Sequence, residues 1–163
     1  MSTIEAIAAS LAAGTVTIAG VEYPMRALSA IEFDNLTVLI PAPLPPMVPT
    51  GKTAPDGQPQ TREDHRDEAY LSRMVERNAR VNAALVGVAL GLEGPSGKPL
   101  DIAAAMQLND GKRHAADYAD AVRRKLPKSA ITDLLVRHAE ISRGVTAEAA
   151  LGKSSTSSPA DAP

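Results

Sequence analysis

Residues 62–92 read REDHRDEAYLSRMVERNARVNAALVGVALGL, and the fold turns on how this stretch is taken. Leu71, Met74, Asn78, Val81, Leu85, Val88 and Leu92 recur at alternating three- and four-residue steps. That spacing predicts one long helix with a continuous stripe of about six turns. Glu63, Asp64, Asp67 and Glu68 stand at its start, where the helix dipole favours anions. Arg73, Arg77 and Arg80 follow, and Ala83, Ala84, Gly87 and Gly91 leave a smooth side where another backbone can approach closely.

Further helices are expected beyond it. After a loop at 93–99, residues 100–109 form a short Ala-rich helix with Leu100, Ala103, Ala104 and Leu108. Residues 113–126 form another with Tyr118, Val122 and Leu126, ended by Pro127. Residues 129–143 form the last, with Ile131, Leu134, Leu135, His138 and Ile141, and Gly144 stops it. From 145 the chain turns to Ala, Ser and Pro, the composition of a disordered tail.

Toward the N-terminus the period changes. Residues 3–13 place Ile4, Ile7 and Leu11 at helical spacing and end at Gly14. Val16 and Ile18, then Val21, Tyr23 and Met25, alternate with polar residues around Ala19-Gly20, the pattern of a β-hairpin. Pro24 cannot donate to a ladder, so the second strand is an edge there. Ser29 and Glu32 make a capping box for a helix carrying Ile31, Phe33, Leu36, Leu39 and Ile40, and Pro41 ends it. Residues 41–60 hold seven of the 13 prolines. The stretch reads as a linker, polyproline-like to Pro49 and looser beyond, or as a clamp against a neighbouring copy or partner.

The expected architecture is mainly α within an α+β class. A small N-terminal unit spans 1–40 (helix, β-hairpin, helix) and a Pro-rich linker 41–61. A helical bundle with one long helix spans 62–144, and the tail 145–163.

Composition agrees with this and excludes much else. The chain has 163 residues, 44% hydrophobic but only 2% aromatic, and 29 are Ala. A core of Ala and aliphatic side chains suits closely packed helices. With no Cys there is no disulfide scaffold, thiolate zinc site or cysteine nucleophile. The net charge of −2 gives no general attraction to nucleic acid or to acidic membranes. No apolar run approaches the ~20 residues of a membrane span, and no basic segment opens a signal peptide. A soluble intracellular protein is the natural expectation. Charge is uneven: residues 1–60 hold two bases and five acids, whereas 112–143 hold eight bases and four acids.

No chemistry is placed by spacing. His65 stands among Glu63, Asp64 and Asp67, but first-turn residues point in different directions, as in a solvated helix start rather than a metal site. His114 and Asp117 can pair on one helix, and neither His114 nor His138 has a Ser or acid spaced for a triad. Gly91–Lys98 (GLEGPSGK) fails as a phosphate loop. Leu92 takes the place of the first Gly, Pro99 that of the Ser or Thr, and a helix precedes it. Arg123, Arg124 and Lys125 lack an aromatic platform for nucleic acid and fit a helix C-terminus.

The run from Val16 to Ser29 (VTIAGVEYPMRALS) is followed by a short helix, a Pro-rich break, a long helix with Asn78, more helices and a polar tail. This order, over roughly residues 15–140, resembles the tail assembly chaperones of long-tailed bacteriophages and prophages. The resemblance implies a non-catalytic protein of the host cytoplasm, without cofactor. It implies as partners the helical tape-measure protein, kept soluble, and the tail-tube protein. Many such proteins have a second form made by ribosomal slippage, and Leu151-Gly152-Lys153 permits a slippery codon run. The twenty-residue Pro-rich insert departs from compact members. On that reading Leu71, Met74, Val81, Leu85 and Val88 offer apolar contacts to the partner, unless the internal core consumes them. Arg123, Arg124 and Lys125 steer an acidic client or neighbour. The alternative is a structural component of the phage particle, such as a connector or tail accessory subunit. Behind it stand a small DNA-binding regulator, using the helix pair 113–143, and an enzyme.

Overall fold

The computed structural model describes residues 13–18 and 21–152. The chain is α+β, with five helices and two separate two-stranded antiparallel sheets among these residues. The helix expected over 3–13 lies outside them, apart from Ala13, which opens the first strand.

Strands β1 (Ala13–Ile18) and β2 (Val21–Arg26) form the expected hairpin, paired from Ala13↔Arg26 to Ile18↔Val21. Val16 and Met25 turn inward and are buried. Helix α1 (Ala30–Leu39) starts in the expected capping box: the Ser29 hydroxyl accepts from the Glu32 N–H, and the Glu32 carboxylate accepts from the Ser29 N–H. Arg26 forks onto the same carboxylate, at 2.7 and 3.1 Å. These contacts hold the Glu32 carboxyl down at about 2, the Arg26 bond contributing most.

The Pro-rich stretch departs from expectation. Residues 41–46 carry no element, but β3 (Met47–Thr53) and β4 (Pro59–Glu63) pair as a second hairpin, with a register break between Pro49 and Thr53. Ala54-Pro55-Asp56-Gly57 makes the turn: the Gly57 N–H donates to the Ala54 carbonyl, and Gly57 has φ +83°. Proline presets the first central position of such a turn, and glycine takes the left-handed residue after it. A two-stranded ribbon needs backbone donors on one side only, so Pro49 and Pro59 are tolerated.

The long helix α2 spans Glu68–Ala89 rather than starting at 62. Asp67 caps it, accepting from the Tyr70 N–H at 2.7 Å, and Asp64 accepts from Arg66. The acidic run therefore forms a turn and a cap, which short Asp side chains favour over helix interior. At its other end Gly91 (φ +64°) donates to Val88 and Leu92 to Gly87, a Schellman closure.

Helices α3 (Ile102–Gln107), α4 (Gly111–Lys125) and α5 (Lys128–Gly152) follow, near their expected starts. The end of α5 is a correction: the helix passes through Gly144, and residues 145–152, expected as disordered tail, are helical. Gly144 is not in the left-handed conformation that ends a helix. A mid-helix glycine costs only about 1 kcal/mol, and the Ala, Glu and Leu that follow are good helix formers. Residues 153–163 are outside the description.

The core is centred on the second half of α2, where Val81 and the run Ala83–Leu90 are buried. Helix α4 supplies Ala115, Tyr118, Ala119 and Val122, and α1 supplies Leu36 and Leu39. At Gly87 α4 comes close: a Cβ there would stand 2.6 Å from Val122 and 2.8 Å from the Tyr118 hydroxyl. The Tyr118 hydroxyl donates to the Leu92 carbonyl, and burial pushes its pKa up to about 12.

Candidate partner-binding groove

The stripe expected on α2 divides in two. Val81, Leu85 and Val88 are 5–6% exposed and belong to the core. That corrects their reading as partner contacts, because α1, α4 and α5 already pack on this half of the helix. Met74 is half-buried, and Asn78 is exposed. Leu71, at 48%, and its neighbour one turn on, Val75, at 69%, are open to solvent. Two large apolar side chains one helical turn apart form a short exposed strip, a costly surface unless something covers it.

The strip runs into a groove between α2 and α5 of about 530 Å³. Val75 and Ala79 line one wall, Ile131 and Leu135 the other, and Leu126, between α4 and α5, closes the floor. Polar edges come from Asn78, Asn82, Thr132, Lys128 and the paired Glu76 and Arg123. Pro127 stands at the break: α4 ends at Lys125, Leu126 is extended, and α5 restarts at Lys128.

The basic triplet separates into three roles. Arg123 forks onto Glu76 of α2 and touches Asp120, and Asp120 in turn takes both prongs of Arg80 at 3.1 and 3.2 Å. The Arg123 bond holds the Glu76 carboxyl below its usual range and raises the guanidinium. Arg123 is thus committed to a network joining α2 to α4. Lys125 donates to the Glu93 carbonyl at 2.6 Å, tying the end of α4 to the loop after α2. Arg124 is exposed and makes no hydrogen bond or ion pair among the described residues. Of the three, only Arg124 has the character of a steering charge; Lys128, on the groove's rim, is the second such base.

The histidines are equally separate. His65 pairs with Glu63 at 3.0 Å, and His114 with Asp110 rather than Asp117. His138 accepts the Leu28 backbone N–H on Nε2 at 3.1 Å, joining α5 to the β2–α1 connection. Among the described residues no group of three or more acidic or histidine side chains is placed to hold a metal.

Sequence reasoning missed Val75, Ala79 and Lys128 as groove residues. The available signal was the four-residue spacing of Leu71 and Val75, one step off the dominant stripe, matched by Ile131 and Leu135 on α5. Compared with family models, curated proteins and solved structures, the chain matches none.

Proposed function

We propose that this protein is a non-catalytic tail assembly chaperone of a long-tailed bacteriophage. In this reading it works in the host cytoplasm, keeps the helical tape-measure protein soluble and aids tail-tube assembly. The sequence resemblance suggests the family. The observation that carries the reading is the α2–α5 groove, whose apolar walls are continued by exposed Leu71 and Val75. A V between two helices with apolar walls suits an amphipathic helix, read at one residue per turn. Lys128, on the groove's rim, favours a client with an acid flanking its apolar strip. No described helix is long and apolar enough to cross a membrane.

The test is co-expression of the full chain with the tape-measure protein encoded alongside it. The soluble fraction of the client is the readout. Soluble client, recovered as a complex, is expected with the native chain. Val75→Glu and Leu71→Glu should abolish it while leaving the thermal melt unchanged, since both side chains are exposed. An insoluble client with the native chain refutes the chaperone reading. A soluble client with both variants refutes the groove. Recovery of the chain in finished, purified particles would instead make it a structural component.

A further inference from the structure

The two edges of the first hairpin are not alike. Ile18 pairs with Val21 at its closed end, and Pro24, opposite Thr15, has no N–H. The hydrogen-bonded pairs are therefore Gly14–Met25, Val16–Tyr23 and Ile18–Val21, and Thr15–Pro24 is a non-bonded pair. On β2 the groups facing outward belong to Glu22, Pro24 and Arg26. Two charges and a missing donor protect that edge against further pairing.

On β1 the outward groups belong to Thr15 and Thr17. Both carry their full N–H and C=O, and neither finds a partner among the described residues. No residue of β1 is charged or proline. Beside this edge lies a second groove of about 450 Å³, lined by Thr15 to Ile18 and by one face of α5: Ala130, Asp133, Leu134 and Arg137. No residue of β2 lines it. It lies on the open side of the hairpin alone.

We infer that β1 pairs edge to edge with β1 of a second copy of this chain, making a four-stranded antiparallel sheet across a twofold axis at Val16. The register is self-complementary. An antiparallel pair centred on Val16 sets Thr15 of one copy opposite Thr17 of the other, twice. Each such pair exchanges two backbone bonds, so the contact gains four. Thr opposite Thr is a favourable cross-strand pair, and the uncharged strand brings no like-charge repulsion.

The helices agree in charge. Asp133 and Arg137 stand one turn apart on the α5 face that looks past the β1 edge. The twofold axis runs the two α5 helices antiparallel over the new sheet. Asp133 of each copy then meets Arg137 of the other. Arg137 now bonds Glu140 in an exposed pair that contributes little and can yield. This inference is independent of the chaperone reading, because it uses the opposite side of α5's packing against the hairpin and no client.

Sedimentation equilibrium on the full chain over a concentration series tests it. The native chain should be a dimer. Thr15→Pro removes two of the four bonds and should weaken dimerisation about tenfold or more. Thr17→Lys should weaken it independently, which covers the case that the proline disturbs the hairpin. Asp133→Arg and Arg137→Asp should each weaken it, and the double swap should restore it, with far-UV spectra unchanged throughout. A native chain that stays monomeric overturns the inference. Slow amide exchange at Thr15 and Thr17 in that monomer would mean that residues 1–12 cover the edge; fast exchange would leave it for a strand of another protein. A dimer indifferent to all four single substitutions also overturns it.

Discussion

The two hairpins have the same topology and opposite relations to the rest of the molecule. In β1–β2, Met25 is fully buried, Val16 is 8% exposed, and Gly14 lies so close to α5 that a Cβ would stand 2.7 Å from Ile141. His138 reaches across to the Leu28 amide just beyond β2. In β3–β4 every residue but Val48 is exposed, and the ribbon's hydrogen bonds are its own. The first hairpin holds its shape because a helix needs its inner face. The second holds its shape through its turn and ladder alone. A lone two-stranded ribbon is marginal in water, so the second should open without disturbing the core.

The largest expected difference between them is in side-chain deletion. Met25→Ala removes a fully buried side chain from the junction of hairpin and helices and should cost about 2–5 kcal/mol in urea unfolding. Lys52→Ala or Gln60→Ala, on the exposed ribbon, should stay within about 0.5 kcal/mol. Equal losses from the two hairpins would mean that β3–β4 is part of the folding core after all.

The same contrast explains what could be read in the sequence. Alternation of apolar and polar residues reveals a strand only when one face is buried. Val16, Ile18, Tyr23 and Met25 alternate because α5 covers one side, and the first hairpin was legible almost to the residue. The second has no buried face and so no alternation to read. Its signal was local, Pro55-Asp56-Gly57, a turn triplet hidden among seven prolines that together suggested a linker. Within α2 the stripe was legible as a helix, but periodicity cannot say which half of a stripe other helices cover. Val81, Leu85 and Val88 look like Leu71 in sequence and differ from it only because α4 and α1 pack against their half of the helix. The groove was illegible for a related reason: its walls come from α2 and α5, more than forty residues apart, and no local pattern says that they meet. Arg123 resembled a free base until the fold brought Glu76 beside it.

The next difference is in pH dependence and belongs to the first hairpin. Burial, and then the nearby Arg26 charge, lower the His138 pKa below its usual 6.5. The neutral ring is the acceptor for Leu28, and a protonated Nε2 could not accept. The folded state therefore resists a proton that the unfolded chain takes up below about 6.5. Stability should be level above that pH and fall as pH drops through the lowered folded value. Glu32, held at about 2, contributes its own loss only below its usual 4.5, so the two windows separate. Urea midpoints measured from pH 8 to pH 5 should show the decline, and His138→Gln, whose amide oxygen can accept without titrating, should remove it. A variant with the same decline would assign it to another group.

The smallest effect should fall on the second hairpin and be invisible to a global melt. Gly57 sits at φ +83° with nothing within 4 Å of where a Cβ would be. Gly57→Ala therefore meets no clash and carries only the left-handed backbone penalty, about 1 kcal/mol. In the first hairpin a penalty of that size would be charged to the whole fold, because opening β1–β2 exposes Val16 and Met25. In the second it falls on a ribbon whose opening exposes almost nothing apolar. The ribbon's ladder and turn amides should exchange about fivefold faster in the variant, while the melting temperature stays within error of the native chain. If the melting temperature fell by several degrees as well, the ribbon would have to be coupled to α2 through the short turn at 64–67, where Asp64 N–H donates to the Pro46 carbonyl and Asp67 caps the helix. The independence of the two hairpins would then end at that turn.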